Sequence, residues 1–276
     1  ECDGEHASWY RQVIGMLRWA VELGRFDVLV EISIMSQYQA NPRMGHLEAL
    51  YAIVHHLKQG NVRAVVFDPT TPPVDEKSFA ECDASDLTDF YGDMKEEDPR
   101  DMPEPLGKPV TITVFVDANH AGNVVTRRSH TGVLILVQNT VTTAYCKKQN
   151  TVESATYGSE LVAMRIARDL VVATRIKLKC FGVPLAGPAN TYSDNEAVFK
   201  NVSRAESLLG KKHNAINYHI CREATAAKIM RHTKEDTETN LADALTKILP
   251  IERKEFLLGR FLFKVTKKNA TDVHNK

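Results

Sequence analysis

The sequence has no apolar run near the roughly 20 residues that a membrane-spanning helix needs. Its first residues lack the basic and apolar regions of a signal peptide. Cysteine is scarce, and none of the five cysteines forms a CxxC pair, which argues against a zinc ribbon and a disulfide framework. We therefore expect a protein of a reduced, intracellular compartment. Because the sequence starts at Glu1 and not at a methionine, we also expect a piece of a longer product.

The formal net charge of zero conceals three segments of different charge. Residues 1–67 carry 6 Lys/Arg and 7 Asp/Glu. Residues 68–105 carry 3 and 13, a net of −10, and residues 106–276 carry 26 and 15, a net of +11. A basic C-terminal part is typical of proteins that bind a phosphate backbone, although basic domains with other roles are common.

The pattern of apolar residues divides the chain into parts of different structure. Between residues 9 and 59 apolar residues recur at helical spacing, which predicts three helices. The following stretch is acidic and holds six of the eleven prolines, as is typical of a linker. We therefore predict a helical segment over 1–66, an acidic Pro-rich linker over 67–108, an α/β domain over 109–265 and a tail over 266–276.

From residue 109 the predicted order is three strands, helix, strand, two helices, strand and helix. The run VTITVFVDA is rich in β-branched residues, and two further strands predict a hairpin that turns near Gln138 and Asn139. A long helix is predicted from about Tyr157 to Cys180. Three antiparallel strands followed by alternating strands and helices predict an α/β domain with a mixed five-stranded sheet covered by helices.

Four acids stand where such a fold can gather them. Asp117 ends an apolar strand, Glu160 begins the long helix, Asp194 ends the fourth strand, and Asp243 begins the last helix. Buried carboxylates repel each other unless a cation holds them together, and two divalent ions need several carboxylate oxygens. For each acid alone, a helix cap or a surface charge is the alternative.

A series of short motifs supports a more specific interpretation. They are VDANHAG at 116–122, TRRSHTG at 126–132, KKQNTVE at 147–153, SELVA at 159–163, SDNEA at 193–197, KH at 212–213, YH at 218–219, RE at 222–223 and NLADALTK at 240–247. In this order they resemble the ribonuclease H domain at the C-terminal end of copia-type retrotransposon polyproteins. Each motif alone is weak, and the ordered series is specific.

The residues before this domain resemble the C-terminal end of the reverse transcriptase of the same polyproteins. The matching motifs are YR at 10–11, GML at 15–17, NP at 41–42 and HLEAL at 46–50. The paired-aspartate motif of a polymerase active site is absent, so we expect no DNA synthesis by this chain.

The resemblance implies a ribonuclease H-like fold and hydrolysis of the RNA strand of RNA–DNA hybrids during reverse transcription. It implies that Asp117, Glu160, Asp194 and Asp243 are catalytic residues that bind two Mg²⁺ or Mn²⁺ ions. A water would attack the RNA phosphate and leave a 3′-hydroxyl and a 5′-phosphate.

Two positions need separate assignment. The family often has another acid two residues before Glu160, where this chain has Gly158. We assign the ligand to Glu160, because the Leu-Val-Ala pattern follows it, with Glu153 as the alternative. Many ribonucleases H place a mobile histidine shortly before the last acid, which makes His232 a candidate catalytic residue. With ten histidines in the chain, a surface position is the alternative.

The resemblance also implies a surface that binds the hybrid. Basic side chains at strand ends are expected to contact phosphates, with solvated hairpin charge as the alternative, and Asn195 is expected to read 2′-hydroxyls in the minor groove. The nucleic-acid-binding residues so predicted are Arg127, Arg128, Ser129, Lys147, Lys148, Gln149, Asn195, His213 and Arg222.

The implied partners are the RNA–DNA hybrid and the rest of the reverse transcriptase in the intact polyprotein, with no membrane. The expected location is the cytoplasm, within a virus-like particle if the element is active. Two other functions stay open. An integrase-like core also uses clustered acids, although the chain lacks its zinc-binding His/Cys module, and a connection-type domain would only grip hybrid or partner subunits.

Overall fold

The computed structural model describes residues 1–59, 62–79, 85–210 and 212–264; the predicted tail over 266–276 lies outside them. Two compact units are present. The helical unit comprises Glu1–Phe67 and the segment that begins at Lys247, and the sheet unit comprises Asp68–Thr246. No helix in the described part of the chain has the length and apolar character that a membrane crossing requires.

The helices and strands follow one another in the order α1 (Gly4–Glu22), α2 (Leu29–Met35), α3 (Met44–Lys58), β1 (Arg63–Val65), α4 (Glu76–Phe79), α5 (Ser85–Tyr91), β2 (Ile112–Asn119), β3 (His130–Val137), β4 (Thr140–Lys148), α6 (Thr156–Cys180), β5 (Ala189–Ser193), α7 (Glu196–Ser203), α8 (Ala215–Ala226), β6 (Met230–Lys234), α9 (Ile251–Leu258) and β7 (Leu262–Lys264).

The helical unit contains the three helices predicted near the N-terminus, which are confirmed as α1, α2 and α3. The side chain of Asp3 caps α1 by accepting a hydrogen bond of 2.8 Å from the backbone N–H of His6. Apolar side chains of the three helices, among them Tyr10, Leu47 and Leu50, form a buried core. The unit also holds α9 and the short antiparallel pair of β1 and β7.

The sheet unit contains a five-stranded sheet of order β4-β3-β2-β5-β6. Strands β2, β3 and β4 are antiparallel neighbours, whereas β5 is parallel to both β2 and β6. The hairpin between β3 and β4 turns at Gln138 and Asn139, as predicted. The predicted mixed five-stranded sheet, with three antiparallel strands followed by alternating strands and helices, is therefore confirmed.

The core of the sheet unit follows from alternation along the strands. Every second residue of β2, including Val114 and Val116, packs with the buried side chains of α6 and α8, such as Leu161 and Met164. Burying a large aliphatic side chain of this kind contributes roughly 1.5–3 kcal/mol, so this core holds the sheet and α6 in a fixed relation. That relation determines where the acids of both elements stand.

Residues 68–108, predicted as a linker, belong to the sheet unit. Phe79 of α4 packs edge-on against Tyr192 of β5, with ring centroids 5.5 Å apart. Farther along, the carboxylate of Glu96 accepts hydrogen bonds of 2.8 and 2.7 Å from Arg175 of α6. The boundaries of the compact units therefore differ from those of the predicted segments. The acidic stretch is joined to the sheet unit because acids such as Glu96 bind its cations.

Candidate active site

Asp117 lies on the central strand of the sheet, close to its carboxyl end. The residue is 2% exposed and stands opposite Gly132 of β3. The neighbouring residue Val116 is in register with Ser193 of the parallel strand β5, which places Asp117 beside the end of that strand. The carboxyl ends of parallel strands form the edge at which α/β sheets bind ligands.

Two further acids reach this edge from other elements. Asp194 follows β5 directly and is half-buried, and its Oδ2 accepts a hydrogen bond of 3.2 Å from the hydroxyl of Thr237. Glu160 lies in the second turn of α6 and is 4% exposed. Since α6 packs on β2, its first turns stand over the same edge.

The side chains of Asp117, Glu160 and Asp194 form one group, in which a carboxylate oxygen from each lies within 4.8 Å of the others. Three carboxylates at this spacing, two of them buried, repel each other in the absence of a cation. Carboxylate oxygens are the ligands that Mg²⁺ and Mn²⁺ prefer, so the donor set fits such an ion. The structure thus brings together three of the four acids predicted as metal ligands.

Asp243, the fourth predicted ligand, lies outside this group as the structure describes it. It is 6% exposed and belongs to the 3₁₀ helix Leu241–Leu245, where a regular helix was expected. Asn240 anchors this turn, because its Nδ2 donates a hydrogen bond of 3.1 Å to the carbonyl oxygen of Val116 on β2. Asp243 is therefore held on a turn that is attached next to Asp117. The place of Asn240 directly before a helical turn is typical of a cap, which is the signal in the sequence for this role.

Glu153, the alternative ligand, is buried beside the first turn of α6 and outside the three-acid group. Its Oε2 lies 3.1 Å from Nε2 of His213 and 3.4 Å from Nδ2 of Asn214. Its carboxylate also fills the space beside Gly158. This placement favours Glu160 over Glu153 as the ligand.

His232, the predicted catalytic histidine, is buried inside the sheet unit. It lies on β6 opposite Thr191, three residues before Asp194, and is 1% exposed. Its Nε2 lies 3.0 Å from the hydroxyl of Thr225 on α8. Burial lowers the pKa of its imidazole to about 4. A buried neutral imidazole of this kind favours a structural role, and the catalytic role predicted for His232 is not supported.

Four of the predicted basic residues lie at the same edge of the sheet as the acids. Lys147 and Lys148 end β4. Lys148 is in register with His130 of β3, which is in turn in register with Asn119 at the end of β2. Arg127 is exposed and Arg128 half-buried in the loop between β2 and β3. Basic side chains on either side of an acidic group can bind the neighbouring phosphates of a polyanion while one of its phosphates lies at the acids.

Three of the predicted nucleic-acid-binding residues are buried, and their side chains serve the fold. Arg222 is 2% exposed and donates hydrogen bonds to the carbonyl oxygens of residues 201, 204 and 205, so the structure favours a structural role and does not support the predicted role in nucleic-acid binding. The hydroxyl of Ser129 accepts a hydrogen bond of 3.0 Å from the N–H of Ala121. The Nε2 of Gln149 donates to the hydroxyl of Thr131 and to the carbonyl oxygen of residue 159.

The two remaining predicted residues lie at the surface near the acids. Asn195 follows Asp194, and its Oδ1 accepts hydrogen bonds of 3.1 and 3.2 Å from the N–H groups of residues 197 and 198, which caps α7. His213 has a side chain that is 57% exposed. Both are accessible to a ligand at this edge, although the oxygen of Asn195 already has two donors.

The comparisons with known proteins point to retroelements. No family model matches the chain. The chain is similar to the retrovirus-related Pol polyprotein from transposon TNT 1-94 of Nicotiana tabacum, with 21% identity over 246 residues. The match covers 89% of this chain and 16% of the polyprotein, so the chain spans a small part of that relative's length. The predicted resemblance to a retrotransposon polyprotein is confirmed at this level.

Solved structures with a similar chain path include ribonucleases H. The N-terminal RNase H domain of rv2228c from Mycobacterium tuberculosis is 15% identical, with 55% of this chain and 98% of that chain covered and a TM-score of 0.38. LC11-RNase H1 in complex with an RNA/DNA hybrid is 14% identical, with 49% of this chain and 94% of that chain covered and a TM-score of 0.40. The foamy viral protease-reverse transcriptase in complex with an RNA/DNA hybrid is 13% identical, with 76% of this chain and 28% of that chain covered and a TM-score of 0.35.

Proposed function

We propose that this chain is a ribonuclease H, which hydrolyses the RNA strand of RNA–DNA hybrids at the group formed by Asp117, Glu160 and Asp194. The observation that carries this proposal is the meeting of three acids from β2, α6 and the end of β5 within 4.8 Å. They are separated by more than thirty positions from one another in the sequence, and two of them are buried, whereas acidic side chains are mostly exposed.

The proposed reaction requires two divalent ions, Mg²⁺ or Mn²⁺, held by these acids, with Asp243 completing the set from its 3₁₀ helix. When bound, such ions supply Lewis acidity to the attacking and leaving oxygens of a phosphodiester. The chain itself holds the carboxylates in place. The core between β2 and α6 fixes Asp117 against Glu160, and the parallel register of β2 and β5 fixes Asp117 against Asp194.

The proposed substrate follows from the charges around the acids. Arg127, Arg128, Lys147 and Lys148 offer cations at the edge where the acids stand, which suits the phosphates of a duplex. Contacts of this kind position a nucleic acid without reading its bases, so we expect little sequence preference. Asn195, next to Asp194, is the proposed contact to the RNA sugar.

The proposed setting is a retroelement polyprotein during reverse transcription, because the chain is similar to one segment of a Pol polyprotein. The proposed partner is then the preceding part of the reverse transcriptase, and the proposed location is the cytoplasm. The helical unit, which resembles the end of that polymerase, is the part of the chain expected to contact it.

A hybrid-cleavage assay tests the proposal. A labelled RNA strand annealed to DNA is incubated with the full chain and Mg²⁺ or Mn²⁺, and the wild type is compared with Asp117→Asn and Glu160→Gln. Glu252→Gln, at an exposed acid of the helical unit, is the matched control. We expect the wild type and the control to release fragments with 5′-phosphates, and the site variants to be slower by about a hundredfold or more, the equivalent of several kcal/mol.

Other outcomes would favour the alternative functions. Binding of hybrid with no cleavage in either metal would contradict the nuclease and support a connection-type domain. Joining of DNA ends would support an integrase-like core. Equal cleavage by the wild type and by both site variants would assign the activity to a contaminant.

A further inference from the structure

Thr246 is a buried residue at the end of the 3₁₀ helix that carries Asp243. The residue is 1% exposed, and its hydroxyl donates a hydrogen bond to Oδ2 of Asp117. The same hydroxyl lies 3.3 Å from the carbonyl oxygen of Asp243, and the backbone N–H of Thr246 donates a bond of 3.2 Å to that carbonyl. One threonine therefore touches both the acid of β2 and the turn that holds the fourth acid.

Gly132 makes this contact sterically feasible. It stands opposite Asp117 in the antiparallel pair of β2 and β3. A β-carbon on Gly132 would lie 2.6 Å from the methyl carbon of Thr246 and 2.9 Å from the carbonyl oxygen of Ala242. The 3₁₀ helix thus rests directly on the backbone of Gly132, and any side chain there would push Thr246 away from Asp117.

The surroundings also fix the direction of the hydroxyl. The methyl group of Thr246 occupies the space above Gly132. The backbone carbonyl oxygen of Thr246 accepts a hydrogen bond of 3.2 Å from Nδ2 of Asn119. Threonine has few side-chain rotamers, so a methyl group and a backbone held in this way leave the hydroxyl little freedom. A hydroxyl carries one hydrogen, and because a carboxylate is a stronger acceptor than a backbone carbonyl, the hydrogen is assigned to Asp117.

We infer that Thr246 is a positioning residue for the acidic group, an inference that rests on the proposed function. Its hydroxyl holds Oδ2 of Asp117 and thereby fixes the orientation of this carboxylate in the group with Glu160 and Asp194. Its backbone ties the turn of Asp243 to β2. Partners that orient metal-binding carboxylates typically account for a 10–100-fold difference in metal affinity.

The test is a titration of the full chain with Mn²⁺, which is followed by calorimetry and by the electron paramagnetic resonance of free Mn²⁺. Thr246→Val removes the hydroxyl and keeps the shape, whereas Thr246→Ser keeps the hydroxyl. Thr191→Val is the matched control, because Thr191 is equally buried on β5 and its hydroxyl bonds only weakly, at 3.5 Å, to a backbone carbonyl. Thermal unfolding without metal monitors the fold of each variant.

We expect Thr246→Val to bind Mn²⁺ about 10–100-fold more weakly, with Thr246→Ser and Thr191→Val close to the wild type. If Thr246→Val does not fold, the Mn²⁺ affinity of Thr246→Ala, which also lacks the hydroxyl and adds no bulk, is compared with that of the wild type instead. Equal Mn²⁺ affinity in wild type and the two hydroxyl-free variants would overturn the inference, as would an equal loss in Thr191→Val. A wild type that binds Mn²⁺ but leaves hybrids intact would refute the proposed nuclease, while the affinity of Thr246→Val would still decide the role of Thr246.

Discussion

The carboxylate of Glu153 occupies the space in which a side chain on Gly158 would lie. The two residues come together because the loop before α6 folds back over the first turn of that helix. Nδ2 of Asn214 also lies 3.2 Å from the place of a β-carbon at residue 158, so the position is enclosed on two sides. An acid from the preceding loop therefore stands where a side chain two residues before Glu160 would lie.

Replacement of Gly158 by alanine is therefore expected to destabilise the protein, although alanine is the better helix former. The added methyl group meets Glu153, and overpacking of this kind costs about 1–3 kcal/mol. Gly15→Ala is the matched control, because Gly15 also lies in a helix and nothing stands near its β-position. That variant is expected to gain up to about 1 kcal/mol.

Urea unfolding of both variants measures these differences. The double variant Glu153→Ala/Gly158→Ala should recover most of the stability lost in Gly158→Ala, because the removal of the carboxylate frees the space. A Gly158→Ala variant as stable as the wild type would show that the loop with Glu153 yields at no cost.

Removal of one charge from the acidic group should stabilise the protein when no divalent ion is bound. Asp194→Asn reduces the repulsion among the three carboxylates, which at about 4 Å is worth about 1 kcal/mol per pair in the dielectric of water and up to about 4 kcal/mol near a protein surface. The wild type should instead gain about 2.7 kcal/mol from Mn²⁺ at a hundred times its dissociation constant, and the variant should gain little of this.

Melting temperatures with and without Mn²⁺ check this prediction. Asp169→Asn, at a partly exposed acid of α6 that pairs with Arg165, is the control and should keep the response to the ion. An Asp194→Asn variant with lower metal-free stability and an unchanged response would contradict a metal site at this group.

Arg222→Met is expected to destabilise the fold by about 2–4 kcal/mol without a specific loss of hybrid affinity. The change removes the buried donor of three backbone carbonyl oxygens, of which that of residue 204 keeps the N–H of residue 207. Each of the two carbonyl oxygens left unsatisfied costs about 1–3 kcal/mol. It also removes the guanidinium from the ring of Tyr218, 4.9 Å away. Arg127→Met, at the exposed loop, should do the opposite and weaken hybrid binding with a change in stability within about 0.5 kcal/mol.

Denaturation curves and a fluorescence anisotropy titration with hybrid, both at low salt and low temperature, separate the two effects. If Arg222→Met retains wild-type stability and loses affinity, the buried arginine has the role in binding that its sequence motif implied.

The elements of the sheet unit could be predicted because their signals are local. The β-branched run that includes Val114 and Val116 alternates between two faces, and the hairpin turn has Gln138 in a left-handed conformation that a turn requires. Asp117 could also be singled out from the sequence, since a charge inside an apolar run needs a reason. Each of these inferences depends on residues within one element.

The contacts among elements could not be predicted in this way. Whether Arg222 faces solvent or three carbonyl groups depends on the path of residues 201–205, which the charge pattern does not encode. The same holds for Thr246, whose bond to Asp117 exists only because Gly132 stands opposite that acid in the register of β2 and β3. An acidic, Pro-rich composition likewise concealed that Glu96 binds Arg175.

The stability of the protein should fall as the pH decreases from about 6.5 to about 4, because His232 resists protonation in the folded state. Burial lowers the pKa of His232 from 6.5 to about 4. Above pH 6.5 the imidazole is neutral in both states and has no effect. Between the two values the unfolded chain binds a proton that the folded chain does not, so the free energy of unfolding decreases by at most about 3 kcal/mol.

His232→Gln removes this titration while it keeps a polar group near Thr225. The difference in unfolding free energy between wild type and variant should therefore shrink or reverse as the pH falls through this window, and stay constant above pH 7. His130, whose pKa is lowered by burial and by Lys148, acts in the same direction in both proteins and cancels in the comparison. His55→Gln, at an exposed histidine, is the control and should keep the wild-type slope. A constant difference from pH 7 to pH 4 would mean that His232 becomes charged in the folded protein, and would return it to the candidates for proton transfer.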